Sequence, residues 1–228
     1  MSRGWLIVFG KAPRAGLVKT RMSPPLSLEQ SAVLYEAMLI DVLEASARFA
    51  ERLDLEPILA FHPPDAAAEL LARAPADYRL QAQRGTDLGK RMANAFAEGA
   101  AAGAERMLLR GSDSPALEYA HVESALSRLD AGDDVVLTPD QSGGYAMIGM
   151  RSSHPGVFDL PMSTECVLDR TIAIARGAGL RLTQTEASFD LDTVADLARL
   201  SRPSAATKSD LCPRTVESIA ALPLDAVL

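Results

Sequence analysis

Three short stretches hold the residue types from which a site for charged ligands could be built. "FGKAPRAGLVKTRM", Phe9 to Met22, sets Lys11, Arg14, Lys19, Thr20 and Arg21 around Gly10, Gly16 and a proline. Glycine lets a ligand approach the backbone, while lysine and arginine supply charge and directed donors for phosphate oxygens. The plain alternative is a solvated basic loop. "GSDSP", Gly111 to Pro115, holds Asp113 in a tight turn, where its carboxylate could take a divalent cation or serve an Asx-turn or helix cap. "FDLDT", Phe189 to Thr193, places one apolar residue between Asp190 and Asp192. In an extended segment both carboxylates would point to one side. Such a pair suits Mg2+ or Mn2+ shared with a phosphate oxygen. Alternatively Asp192 or Thr193 caps the helix that follows.

Spacing excludes the common phosphate motifs. A Walker A loop needs Gly, Lys and Ser/Thr in succession, whereas Leu17 and Val18 part Gly16 from Lys19 and Thr20. There is no G-x-G-x-x-G fingerprint and no G-x-S-x-G nucleophile elbow. His62, His121 and His154 are scattered and read as ordinary histidines. Cys166 and Cys212 follow neither metal-ligand nor disulfide spacing, which suggests reduced thiols in a cytoplasm. Ser142, Gly143, Gly144 and Tyr145 could bring backbone amides to a substrate or simply open a strand.

The elements that must position these stretches alternate. Apolar runs predict strands at Trp5–Phe9, Glu56–Phe61, Arg106–Arg110, in "DVVLTP" and in "GGYAMIGM". Helical spacing predicts helices over 27–50, with Ser27 and Gln30 as a capping box, and from Asp65 to about Arg73. Further helices fall near 88–102, with Leu88, Met92, Ala95 and Phe96 on one face, and over 119–129, 164–177, 193–200 and 214–221. Such alternation means βαβ units and a mostly parallel sheet covered on both faces, whose ligands bind beyond the carboxyl ends of the strands. All three polar stretches fall there.

With 228 residues one compact domain is expected, spanning 1–202, followed by a Pro/Ser-rich linker and short helix over 203–228. That helix packs on its own chain or on a second copy, a homodimer. The net charge of −7 argues against nucleic acid or an anionic membrane as partner, so the cations of the opening loop are a local feature. The apolar run near the start is too short for a signal peptide or membrane span, so a cytoplasmic protein is expected.

Taken in order, "IVFGKAPRAGLVKTRM", "QRGTDLGKRMANAF", "GSDSPAL", "SGGYAMIGM" and "FDLDTVADL" resemble a bacterial family of GT-A-fold proteins over about residues 5 to 200. That family, first described as a domain of unknown function, is usually regarded as candidate glycosyltransferases, with members near arsenosugar biosynthesis genes. It is similar, more distantly, to the guanylyltransferases that activate phospholactate or phosphoenolpyruvate in coenzyme F420 synthesis and to molybdenum-cofactor guanylyltransferases. The resemblance implies a Rossmann-like three-layer α/β/α sandwich of the nucleotide-diphospho-sugar transferase type. It implicates Gly10, Lys11, Gly16, Lys19, Thr20 and Arg21 at nucleotide phosphates, and Gly85, Asp87, Leu88 and Gly89 near the base or ribose. Asp113, Asp190 and Asp192 would hold Mg2+ or Mn2+, with Asp113, Lys19 and Arg21 carrying catalysis. Ser142, Gly143, Gly144, Tyr145, Ser163 and Thr164 would face the acceptor. Ser142 stands where the family usually has Asp, and Met162 where it has Trp.

The expected function is metal-dependent transfer from an activated nucleotide to a small acceptor. Glycosyl transfer from a nucleotide sugar is the first reading. The alternative is nucleotidyl transfer from a nucleoside triphosphate to a phosphorylated acceptor, and a second alternative is a degenerate nucleotide binder.

Overall fold

A computed structural model describes residues 4–162, 166–200 and 210–222. Its centre is β1 (Gly4–Lys11), buried along both faces and paired in parallel with β2 (Glu56–His62) and β4 (Arg106–Gly111). A strand between two parallel partners needs apolar side chains on both sides, which is why "WLIVF" is continuous rather than alternating. The other strands are β3 (Arg79–Ala82), β5 (Val135–Pro139), β6 (Tyr145–Met150) and β7 (Leu182–Gln184), in the order β3-β2-β1-β4-β6-β5-β7. Only β6 runs antiparallel to its neighbours. Its reversal puts the β5–β6 turn at the same sheet edge as the carboxyl ends of β1 and β4.

Side chains of β1 alternate between two cores. Trp5, Ile7 and Phe9 pack with Met92 and Phe96 of α3 (Leu88–Ala101) and Ala175 of α5 (Val167–Gly177). Leu6 turns the other way, to Phe49 of α1 (Leu28–Leu53) and Val122 of α4 (Tyr119–Asp130). Val8 joins Leu39 and Leu43 of α1 on that side, with Leu70 of α2 (Ala67–Leu71). The result is the expected three-layer α/β/α sandwich. A further cluster lies under the loops at the carboxyl edge. There Met22, Ala116, Phe189 and Leu191 meet Val194 of α6 (Val194–Leu197) and Ile219 of α7 (Pro213–Ala220).

Local chemistry explains the boundaries. Ser27 and Gln30 form the capping box that starts α1. Gly103, at φ +85°, follows the end of α3 in the left-handed region open to glycine. Asp41, on α1 and 1% exposed, accepts from Thr215 N at 2.7 Å and Thr215 Oγ1 at 2.8 Å, anchoring α7 to α1 of its own chain. No helix among the described residues is long and apolar enough to cross a membrane.

Several expectations need correction. β3 and β7 are additional strands; both are short, lie at the sheet edges and lack an apolar run. The Asp65 segment begins as a 3-10 turn (Pro64–Ala66), and Asp65 caps nothing, because its carboxylate accepts from Arg14. Leu88 is 45% exposed rather than in the core face of α3. β6 starts at Tyr145, leaving Gly143 and Gly144 in the turn.

Candidate functional site

The three polar stretches converge through Lys19. Its backbone is left-handed at φ 46°, which turns the side chain inward just before the short helical turn Thr20–Met22. Met22 and Val18 are buried and pin the loop on either side. The Lys19 side chain is only 4% exposed, and its Nζ bonds Asp113 Oδ1 and, at 3.1 Å, Asp192 Oδ1. Burial works against the ammonium, but the charges of Asp113 and Asp192 outweigh it, and the pKa rises. Arg21 lies outside this link, 72% exposed, with its guanidinium 3.7 Å from Asp192 Oδ2. One lysine therefore ties the β1 loop to both acidic turns.

The capping alternative is met at Thr193, the N-cap of α6, in a capping box with Asp196. That carboxylate accepts from Thr193 N at 2.8 Å and Thr193 Oγ1 at 2.7 Å at the start of α6, leaving the Asp192 carboxylate to the cations. Asp190 is placed differently from its neighbour. Its Oδ1 accepts from Ser114 Oγ, and its backbone is clasped by the Gln141 amide at 2.8 and 3.0 Å. Burial pushes its carboxyl up to about 7, against the Ser114 hydrogen bond and with help from the Asp113, Asp140 and Asp192 charges. Leu191, fully buried between the two aspartates, donates its N–H to the Asp113 carbonyl at 2.9 Å.

Beneath the Asp113 turn lies Arg110, which the sequence reading counted only as a strand residue. It is fully buried, and its guanidinium donates to Ser46 Oγ at 3.2 Å and to the Ser114 carbonyl. Burial lowers its pKa to about 10, which leaves it cationic at neutral pH. Tyr35 supplies a second brace: its buried hydroxyl accepts from Lys11 N and lies 2.8 Å from Ser112 Oγ, joining the ends of β1 and β4 to α1. Neither Arg110, Tyr35 nor Gln141 sits in a motif; a polar residue at a strand end was the only signal.

Beside the loop, Lys11 is exposed at the end of β1. Burial, then the charges of Arg91 and Lys11, hold the His62 imidazole below its usual pKa, so a cationic corner forms at the ends of β1 and β2. Arg14 points elsewhere, to Asp65 and Glu69 at 3.0 Å each. The "RGTDLGK" segment borders this corner. Gly85, at φ +142°, makes the turn in which a Cβ would meet Arg91 N at 2.7 Å. Asp87 caps α3 through Lys90 N at 2.8 Å, and Gly89 passes so near the chain that a Cβ would lie 2.6 Å from the Phe158 carbonyl. Asp87, Leu88 and Lys90 line one wall of a cleft of about 360 Å³, with Phe158 to Met162 on the other. Gly10 lies within β1, where a Cβ would meet the buried Leu39 and Leu59 side chains at 3.1 Å each; Gly16 takes φ +78° in the loop, and Thr20 is exposed on its rim.

On the expected acceptor side, Asp140 is used within its own turn, its Oδ1 accepting from Ser142 N at 2.5 Å and Gly144 N at 3.0 Å. The Gly143 carbonyl accepts from Leu168 N at 2.9 Å, which fixes the turn against α5, and Tyr145 opens β6 with a buried hydroxyl. Ser163 and Thr164 lie outside the described residues.

No group of three metal-competent side chains converges among the described residues. Two carboxylates do converge, Asp113 and Asp192, and the point they share holds a positive charge, the Lys19 ammonium. An oxygen-only pair of this kind fits Mg2+ or Mn2+, which take one or two carboxylates and fill the remaining positions with water and substrate phosphates.

Comparisons with known proteins identify the family and the fold. The family model described as "Uncharacterized protein conserved in bacteria (DUF2064)" matches residues 45–164, a little over half of the chain. A 3-phospho-D-glycerate guanylyltransferase of Phenylobacterium zucineum is 30% identical over 194 residues, covering 84% of this chain and 88% of that protein. A crystal structure from Desulfovibrio desulfuricans, of a candidate nucleotide-diphospho-sugar transferase, superposes with a TM-score of 0.84 at 31% identity, over 96% of this chain and 98% of the other. The 4-diphosphocytidyl-2C-methyl-D-erythritol synthase of Anaerococcus prevotii shares the fold alone, at TM-score 0.57 and 10% identity over 88% and 97% of the two chains. The chain belongs to the DUF2064 family and is a nucleotide-using transferase of the GT-A type.

Proposed function

We propose that this enzyme transfers a nucleoside monophosphate from a nucleoside triphosphate to a small phosphorylated acid and releases pyrophosphate. The observation that carries the reading is the loop after β1, which brings Lys19 and Arg21 against Asp113 and Asp192 at the sheet edge where the exposed Lys11 ends β1. A triphosphate brings about twice the charge of a nucleotide sugar, and a loop with three cations matches it. The guanylyltransferase relative supports GTP as donor and a phosphorylated acid as acceptor.

In this reading an acceptor oxygen attacks the α-phosphorus while the bond from that phosphorus to the bridging oxygen of the β-phosphate breaks. Lys19 and Arg21 donate to the phosphate oxygens and strengthen as negative charge moves onto the departing pyrophosphate. The exposed Lys11 side chain holds the terminal phosphates. Asp113 and Asp192 would hold a divalent cation, which when bound neutralises phosphate charge. The turn at Ser142 to Tyr145 borders the acceptor, and a cytoplasmic setting is in keeping with two cysteines that form no disulfide.

Glycosyl transfer from a nucleotide-diphospho-sugar is the second reading, favoured by the solved relative at 31% identity. Which bond breaks separates the two. Thermal unfolding with nucleoside triphosphates and nucleotide sugars, with and without Mg2+ or Mn2+, names the donor: a ligand at ~100 times its Kd adds about 2.7 kcal/mol, several degrees in a domain this size. Phosphorus NMR of the reaction then shows pyrophosphate for nucleotidyl transfer or a nucleoside diphosphate for glycosyl transfer. Stabilisation by a nucleotide sugar alone, with diphosphate release, refutes the first reading.

A further inference from the structure

Resting on the phosphate and metal reading above, one feature of the site goes further. The Lys19 ammonium lies where Asp113 and Asp192 converge, bonded to both, with its side chain almost fully buried. Two cations cannot share that point: an ammonium and a divalent ion within bonding distance of the same oxygens would repel strongly in a site so little exposed to water. The lysine is also not held there by its helix or strand. It stands on a loop, at a left-handed residue one step before a 3-10 turn, with a flexible four-carbon stem. The buried neighbours Val18 and Met22 fix the loop backbone, so the stem can turn without the loop leaving its seat.

We propose that Lys19 is a built-in counter-ion for the metal position, which a divalent cation displaces only when nucleotide phosphates are present to accept the lysine. In the ligand-free enzyme the lysine neutralises Asp113 and Asp192 and excludes the metal. When phosphates arrive, the ammonium exchanges carboxylate oxygens for phosphate oxygens, and the freed carboxylates take the ion. Donor and metal then bind with positive cooperativity, each enhancing the other by the same factor. The exposed Arg21, 3.7 Å from Asp192, does not occupy the shared point and is not part of the exchange.

The experiment measures Mn2+ binding to the full chain by the loss of the free-ion electron paramagnetic resonance signal, with and without GTP, and needs no turnover. The parent should bind Mn2+ weakly alone and at least tenfold more tightly with GTP. Lys19→Met should bind Mn2+ alone at least tenfold more tightly than the parent, and Lys19→Arg, which keeps the charge, should not. Adding Asp113→Asn to Lys19→Met should remove the gain. Far-UV circular dichroism confirms folding, and because Lys19→Met leaves two carboxylates uncompensated, Mn2+ should raise its Tm more than the parent's. If the parent shows GTP-dependent Mn2+ binding while Lys19→Met gains nothing alone, the metal site stands and the counter-ion role is overturned. Failure of both proteins to bind Mn2+ under any condition overturns both. Equal gains in Lys19→Arg and Lys19→Met overturn the charge argument.

Discussion

Replacing Asp41 by alanine tests whether α7 belongs to the site as well as to the fold. The Asp41 carboxylate is almost fully buried and accepts from Thr215 N at 2.7 Å, Thr215 Oγ1 at 2.8 Å and Arg214 N at 3.3 Å. Thr215 is itself fully buried, so water cannot replace the lost acceptor without opening the interface. Two buried donors left unsatisfied cost about 1–3 kcal/mol each, so Asp41→Ala should lose roughly 2–6 kcal/mol. If α7 undocks rather than strains, the loss stops at the free energy of docking. At about 2–4 °C per kcal/mol the Tm should fall by ~4–24 °C. Guanidinium chloride unfolding, followed by Trp5 fluorescence and far-UV circular dichroism, measures it. The functional part follows from packing: Ile219 of α7 and Cys212 share a cluster with Met22 of the loop after β1 and Leu191 between the aspartates. Nucleotide affinity should therefore drop with stability. A stability change under about 1 kcal/mol would refute the energetic argument, and lost stability with unchanged affinity would refute the coupling.

Three other variants probe separate parts of the site. In metal-free buffer the Asp190 carboxyl, raised from 3.8 to about 7, favours the folded state in its protonated form; that stability is complete below pH ~4 and lost as pH rises through ~7. The parent should therefore lose about 2–4 kcal/mol between pH 5 and 8, and Asp190→Asn should flatten the curve; identical curves for both proteins would sink this. Gly89→Ala places a Cβ 2.6 Å from the Phe158 carbonyl, so α3 must shift from the 158–162 segment at a cost of about 1–3 kcal/mol, seen in Tm together with weaker nucleotide binding. Lys11→Ala with Arg21→Ala changes two exposed side chains, so stability should move by less than about 0.5 kcal/mol while triphosphate affinity falls and becomes less salt-dependent. Unchanged titration curves at two ionic strengths would remove both residues from the phosphate site.

Much of this arrangement is legible in the chain because single residues carry strong local chemistry. The continuous apolar run of β1, the Ser27–Gln30 capping box and the glycine after α3 each have one structural meaning, and each is found. β3 and β7 escape because an edge strand is half solvated and needs no apolar pattern. Leu88 misleads because it sits in the first turn of α3, at the mouth of a cleft, where helical periodicity no longer reports burial. The three chemical stretches are recognisable by residue type, but their partnership is not. Lys19 and Asp192 are 173 positions apart, and only the fold brings them within 3.1 Å. Arg110 and Gln141 could not be read at all, since a buried arginine looks like any strand-end arginine, and an amide clasp on a distant backbone has no spacing rule.

Arg110 gives the site a property that its surface charges cannot. At the acidic edge the charges of Asp113, Asp140 and Asp192 all act on the buried Asp190 carboxyl. Dissolved cations relieve such repulsion only at the rim and in proportion to ionic strength. A guanidinium sealed beneath the turn, hydrogen-bonded to the Ser114 carbonyl and out of reach of solvent, acts at every salt concentration. The enzyme thus carries part of its own ionic atmosphere inside the sheet, a counter-charge facing Asp190 that added salt does not dilute.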